Sequence, residues 1–197
     1  MQTILTQLSG MDVKNLLYTE IDHMGSLLIK QKLGEKKETS IQIIEKLMKN
    51  CSDSLNGISL PPYDWVTLAE ALMHYMLTAM VLPSQRKINI GGVEISIIIP
   101  NARNIYKNLE QILIIQFCKD SDNSVRNLVE KLKAIQPNKQ NIWLVSYLPL
   151  DIPVPSNNYV ISDSMNVNDT VIFPFSQIIQ DVEYYIDQIN YSGFKIL

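Results

Sequence analysis

The chain has 197 residues, 46% of them hydrophobic and 19% charged, and a formal net charge of −3, an ordinary globular composition. A chain of this length buries roughly 70% of its unfolded surface, so it needs no staples. Its two cysteines, Cys51 and Cys118, make no disulfide framework or zinc pattern. The acidic balance argues mildly against strong nonspecific nucleic-acid binding, which phosphate neutralisation drives. No apolar run approaches the roughly 20 residues of a membrane span. Met1 to Gly10 lacks the basic start and apolar centre of a signal peptide. These features lead us to expect a soluble, cytoplasmic protein without membrane contact.

From Asp12 to about Leu33 the apolar residues Leu16, Leu17, Ile21, Met24, Leu27 and Leu28 predict one helical stripe, weakened at Gly25. Gly34 to Glu38 is a polar loop. Thr39 with Gln42 matches a capping box, and Ile41, Ile43, Ile44, Leu47 and Met48 predict a second helix to about Asn50. Cys51 to Pro62, rich in Ser, Asn, Gly and Pro, is the best boundary. Asp64 then stands as the cap of a third helix carrying Leu68, Leu72, Tyr75, Met76 and Ala79 and ending before Pro83.

Around Gly91-Gly92 the residues Lys87 to Ile99 alternate apolar and polar, which predicts a two-residue hairpin. The nearly continuous apolar run Ile112 to Lys119 predicts a central strand buried on both faces. Asp122 occupies an N-cap position before Val125, Leu128, Val129, Leu132 and Ile135 at helical spacing, and Pro137 ends that helix. Ile142 to Tyr147 is another buried strand, so the crossover makes a parallel pair. Pro149 to Asn158 is irregular. Tyr159-Val160-Ile161 and Val171-Ile172-Phe173 fit short strands. A last helix follows Pro174 with Ile178, Ile179, Val182, Tyr185, Ile186 and Ile189 on its inner face, and Ser192-Gly193 ends it. The organisation expected is an N-terminal helical segment (1–60), an α/β core (61–150) and a C-terminal extension (151–197) packed on the core. The apolar stripes at both ends also imply a protein partner or a homodimer.

Helix, hairpin, strand, helix, strand over Asp64 to Tyr147 resembles the core of the PD-(D/E)xK nuclease superfamily, which includes restriction endonucleases and archaeal Holliday junction resolvases. The resemblance rests on Glu70 of the leading helix, on Gly92-Val93-Glu94-Ile95-Ser96-Ile97-Ile98, and on Ile114-Ile115-Gln116-Phe117-Cys118-Lys119. It implies an α/β fold: a mixed central sheet with flanking helices, that is, a restriction-endonuclease-like core plus N-terminal helices. Active members carry Asp on the second strand and Glu-x-Lys, sometimes Gln-x-Lys, on the third. The alignment puts Ser96 in place of the Asp, Gln116 in place of the Glu and Cys118 in place of the Lys. Mg²⁺ wants anionic oxygen ligands, and these three residues supply none, so the resemblance implies no metal and no cofactor.

Two carboxylates could rescue the site: Glu94, on the face of Ser96 by alternation, and Glu70 on the helix. Lys119 could replace the missing lysine, but alternation turns it to the other face. The bland readings are a solvated or capping Glu70, an exposed strand Glu94, a buried Cys118, and packed His23 and His74. Arg86, Lys87, Arg103 and Lys107 form a basic cluster that could meet phosphate, or simply a solvated face. The reading favoured is a non-catalytic descendant of the nuclease fold acting as a binding or assembly protein. Its rival is a divergent Mg²⁺-dependent nuclease acting on DNA or RNA through Glu70 and Glu94.

Overall fold

Gly91 and Gly92 turn the chain at φ +57° and +80°, the left-handed geometry that glycine takes without steric cost. The Asn89 side chain accepts the Gly92 N–H at 3.1 Å. Strands β1 (Gln85–Ile90) and β2 (Val93–Ile99) run antiparallel from this turn. This is a computed structural model, and it describes residues 10–35, 39–103, 108–120, 122–153, 155, 157–162 and 172–189. The expected loop residues 36–38, Lys107, Val171 and the Ser192-Gly193 stop lie outside the described residues.

The hairpin leads into β3 (Leu113–Phe117), antiparallel to β2. Helix α5 (Asp122–Ile135) crosses back to β4 (Ile142–Ser146), which runs parallel to β3. β5 (Asn158–Val160) and β6 (Ile172–Pro174) continue the sheet in parallel. The described residues thus form one six-stranded mixed sheet in sequential order, two strands wider than the four-strand core.

Alternation along β3 and β4 sends Leu113, Ile115, Phe117, Trp143 and Val145 to one apolar cluster and Ile114, Cys118, Ile142 and Leu144 to the other. The second cluster is closed by Val125, Val129 and Leu132 of α5. The first is covered by α4 (Pro62–Ala79), α1 (Gly10–Met24), α2 (Ser26–Glu35), α3 (Thr39–Ser54) and α6 (Ile178–Gln188). Each fully buried Leu or Ile in these layers stabilises the fold by about 1.5–3 kcal/mol.

Several sequence expectations are corrected. The first helix is two, because Gly25 takes φ +85° and breaks it between α1 and α2. Leu27 is 81% exposed and Leu28 46%, while Val13, Leu17, Ile21, Ile29 and Leu33 are buried. Gly34 is helical, and α3 runs on to Ser54, so Cys51 lies inside a helix and in the core. Asp64 does not cap α4: Pro61 holds the N-cap position, and Asp64 is a buried residue of the first turn. Burial holds its carboxyl above the ordinary value. α5 begins at Asp122 itself. Much of the N-terminal stripes is spent inside the chain, since Leu17, Ile44 and Leu47 share one core with Leu68 and Ile115, and Leu27 and Leu28 are left exposed.

Candidate functional site: a cleft where two strands part

Backbone pairing of β2 with β3 covers Ile97↔Ile115, Ile98↔Ile114 and Ile99↔Leu113. One residue further on, side chains take over the ladder. Gln116 Oε1 accepts the Ser96 backbone N–H at 3.1 Å, and Ser96 Oγ accepts the Phe117 N–H at 3.3 Å. Both residues are buried, where an N–H without an acceptor costs about 1–3 kcal/mol.

β2 is irregular at this point. Val93 and Ile95 belong to the α5-side cluster, Ile97 to the α4-side cluster and Ile98 to the α5 side again. Opposite, Lys87 has φ +49°, and it is missing from the run of residue pairs that joins β1 to β2. Strict alternation, on which Glu94 and Ser96 were assigned one face, is not kept by this strand. Both residues nevertheless line the same cleft.

That cleft has a volume of about 390 Å³ and is lined by Glu70, Glu94, Ser96, Gln116, Cys118 and Lys119, among others. The sequence-derived positions therefore converge on one place. Cys118 is buried against Val125 and Val129, as a small hydrophobe would be. Glu94 is exposed. Glu70 is not a solvated glutamate: its side chain is 12% exposed and meets Lys119 Nζ at 2.5 Å. Lys119 follows Phe117 to the α4 side of the sheet, as alternation requires, and Glu70 projects there from α4. The Lys119 ammonium also stands 5.6 Å from the centroid of the Tyr63 ring, within cation–π range.

Three lining residues escaped the sequence reading. Ser124 and Lys131 flank Leu128 on one edge of α5, and Asp120 follows Lys119. The signal was present in the helical spacing of Ser124, Leu128 and Lys131, beside the core stripe. With them the described lining carries three lysines (Lys87, Lys119, Lys131) and three carboxylates (Glu70, Glu94, Asp120).

The donor set does not fit Mg²⁺. That ion demands near-octahedral oxygen ligands, anionic ones by preference. The Ser96 and Gln116 oxygens already accept backbone N–H groups, and Glu70 is held by an ammonium. Among the described residues no group of three or more His, Cys, Asp and Glu side chains is placed to hold a metal.

Of the basic cluster, Arg86, Lys87 and Arg103 are exposed. His74 is half-buried on α4; burial, then the charge of Arg86, lowers its pKa. His23 is not packed, being 69% exposed and 3.7 Å from Glu20. Burial, with the Glu20 charge adding, pushes the Cys51 thiol up to about 12, which excludes a ready thiolate. A second, wider hollow of about 660 Å³ lies beyond the ends of β4 and β5. Trp65 and Tyr147 stack on its border, with ring centroids 6.5 Å apart and 14° between planes. No described helix is long and apolar enough to cross a membrane.

The sequence matches no family model, and no curated protein matches it. Solved structures do. A complex of the restriction endonuclease PspGI with substrate DNA aligns over 89% of this chain and 93% of its own, with TM-score 0.60 and 13% identity. Metal-depleted Ecl18kI bound to uncleaved DNA aligns over 93% and 82%, with TM-score 0.58 and 13% identity. Its complex with uncleaved, modified DNA covers 96% and 89%, with TM-score 0.55 and 11% identity. At such identities the likeness is one of architecture, and it spans nearly the whole chain: this protein has the restriction-endonuclease-like fold.

Proposed function

We propose that this chain is a non-cleaving protein on a nuclease fold that works by binding. One observation carries the reading. The two strand positions that would supply carboxylates to a metal are Ser96 and Gln116, and both spend their oxygens on backbone N–H groups across the strand fork. Metal-assisted hydrolysis needs an ion that activates water and neutralises the phosphate. Here the two strand positions offer neutral side chains, and the helix carboxylate Glu70 is already paired with Lys119.

Nucleic acid is the first ligand to consider, because the solved structures of like fold are DNA complexes. Exposed Arg86, Lys87 and Arg103 lie beside the cleft or in the segment after the hairpin, where they would meet phosphates. A protein partner or a second copy is the other occupant of this reading, for which Tyr18, Leu27 and Leu28 are the exposed apolar residues of the N-terminal helices.

Fluorescence anisotropy with labelled duplex DNA and single-stranded RNA tests the proposal. Bound nucleic acid should be recovered uncut, with the same affinity in EDTA as in Mg²⁺. An affinity that rises about tenfold with Mg²⁺ would contradict the reading. Binding to neither nucleic acid would move the partner to protein.

A further inference from the structure

We propose that the Lys119 ammonium is the resident cation of the cleft, a covalently attached counter-charge that fills the role a metal would take on Glu70. The inference rests on the non-cleaving reading above and adds a positive role to the residue. The Glu70 carboxylate is largely withdrawn from water, with 12% of its side chain exposed. A carboxylate so placed needs a partner to offset its lost hydration. Lys119 supplies it at 2.5 Å and is itself only 25% exposed. The ammonium is further positioned over the Tyr63 ring at 5.6 Å.

The local structure fixes this arrangement. β3 ends at Phe117, and Cys118 N–H still bonds Val145 O at 2.8 Å, which holds the chain in register one residue past the strand. The next side chain, Lys119, is thereby delivered to the α4 side, where Glu70 waits. The pair neutralises both partners at once. Glu70 has no charge to offer a free cation, and Lys119 has none to offer a free anion. Removing either partner should open the cleft to the ion of the removed sign.

Thermal unfolding of four proteins tests this: wild type, Lys119→Met, Glu70→Gln, and the double variant. Methionine keeps an apolar stem over Tyr63 and deletes only the charge. In chelating buffer Lys119→Met should melt below wild type. Mn²⁺ at about a hundredfold above its Kd should then raise its Tm by roughly 5–10 °C, with no such rise in wild type or in the double variant. Glu70→Gln releases the ammonium, so inorganic phosphate should stabilise this variant more than wild type or the double variant. If Lys119→Met does not fold, this second arm decides alone.

No Mn²⁺-dependent gain in folded Lys119→Met overturns the proposal, as does an equal gain in the double variant. An equal phosphate response in Glu70→Gln and wild type does the same. Failure of the non-cleaving reading looks different: wild type itself would be stabilised by Mn²⁺ and would cut nucleic acid.

Discussion

Gln116 reaches across the strand fork to accept the backbone N–H of Ser96 at 3.1 Å, and Ser96 Oγ accepts the N–H of Phe117 at 3.3 Å. Two neutral residues thus complete a sheet whose backbones have stopped pairing. Ser96→Ala should leave the Phe117 N–H buried without an acceptor and lower unfolding free energy by about 1–3 kcal/mol. Gln116→Glu keeps an acceptor and should cost less than Gln116→Leu. Urea unfolding of the three variants checks the order. Equal midpoints for Gln116→Glu and Gln116→Leu would show that the bond to Ser96 contributes little.

The paired change Ser96→Asp with Gln116→Glu places two like charges close together. The apo protein should lose stability, since one carboxyl can ionise only at the expense of the other. Added Mg²⁺ should restore part of the loss if the fold is kept. Calorimetry with and without the ion reads this directly.

His74 makes stability fall on the acid side. Its folded pKa lies below the ordinary 6.5, through burial and then the Arg86 charge. The unfolded chain therefore takes the proton first. The contribution is complete above about pH 6.5 and is lost as pH drops below that value toward the folded pKa. His74→Gln should flatten this part of the profile and leave the stability near pH 8 little changed. A profile unaltered by the substitution would assign the acid loss to other groups.

Exposed Arg86, Lys87 and Arg103, together with Lys107, should act through phosphates if nucleic acid is bound. Each replacement by Ala should then weaken binding to all sequences alike. Each should also reduce the slope of log affinity against log salt by about 0.9 on duplex DNA. A salt titration of the four single variants measures it. An effect confined to one sequence would point to base contact.

Much of this architecture was legible in the sequence because its signals are local. Gly91-Gly92 between alternating residues fixes the hairpin, and the β3 and β4 runs are apolar on both faces because helices cover both. Other features were not local. Gly25 looked like a weak point in one helix, but its φ of +85° makes it the break between two. Asp64 read as a cap because only the structure reveals that Pro61 holds that position. The candidate positions Ser96, Gln116 and Cys118 could be named from the resemblance to the nuclease core. What they do could not, because the Ser96–Gln116 stitch joins residues 20 apart in sequence and the Glu70–Lys119 pair residues 49 apart.

The most direct test of the account is a cleavage assay on the wild-type chain. Long duplex DNA and RNA would be incubated with excess protein in Mg²⁺ and in Mn²⁺, beside Glu94→Ala and Glu70→Gln. With Ser96 and Gln116 committed to the backbone and Glu70 held by Lys119, both substrates should remain intact in every lane. Divalent-ion-dependent cutting by wild type that Glu94→Ala abolishes would contradict the account and establish a divergent nuclease.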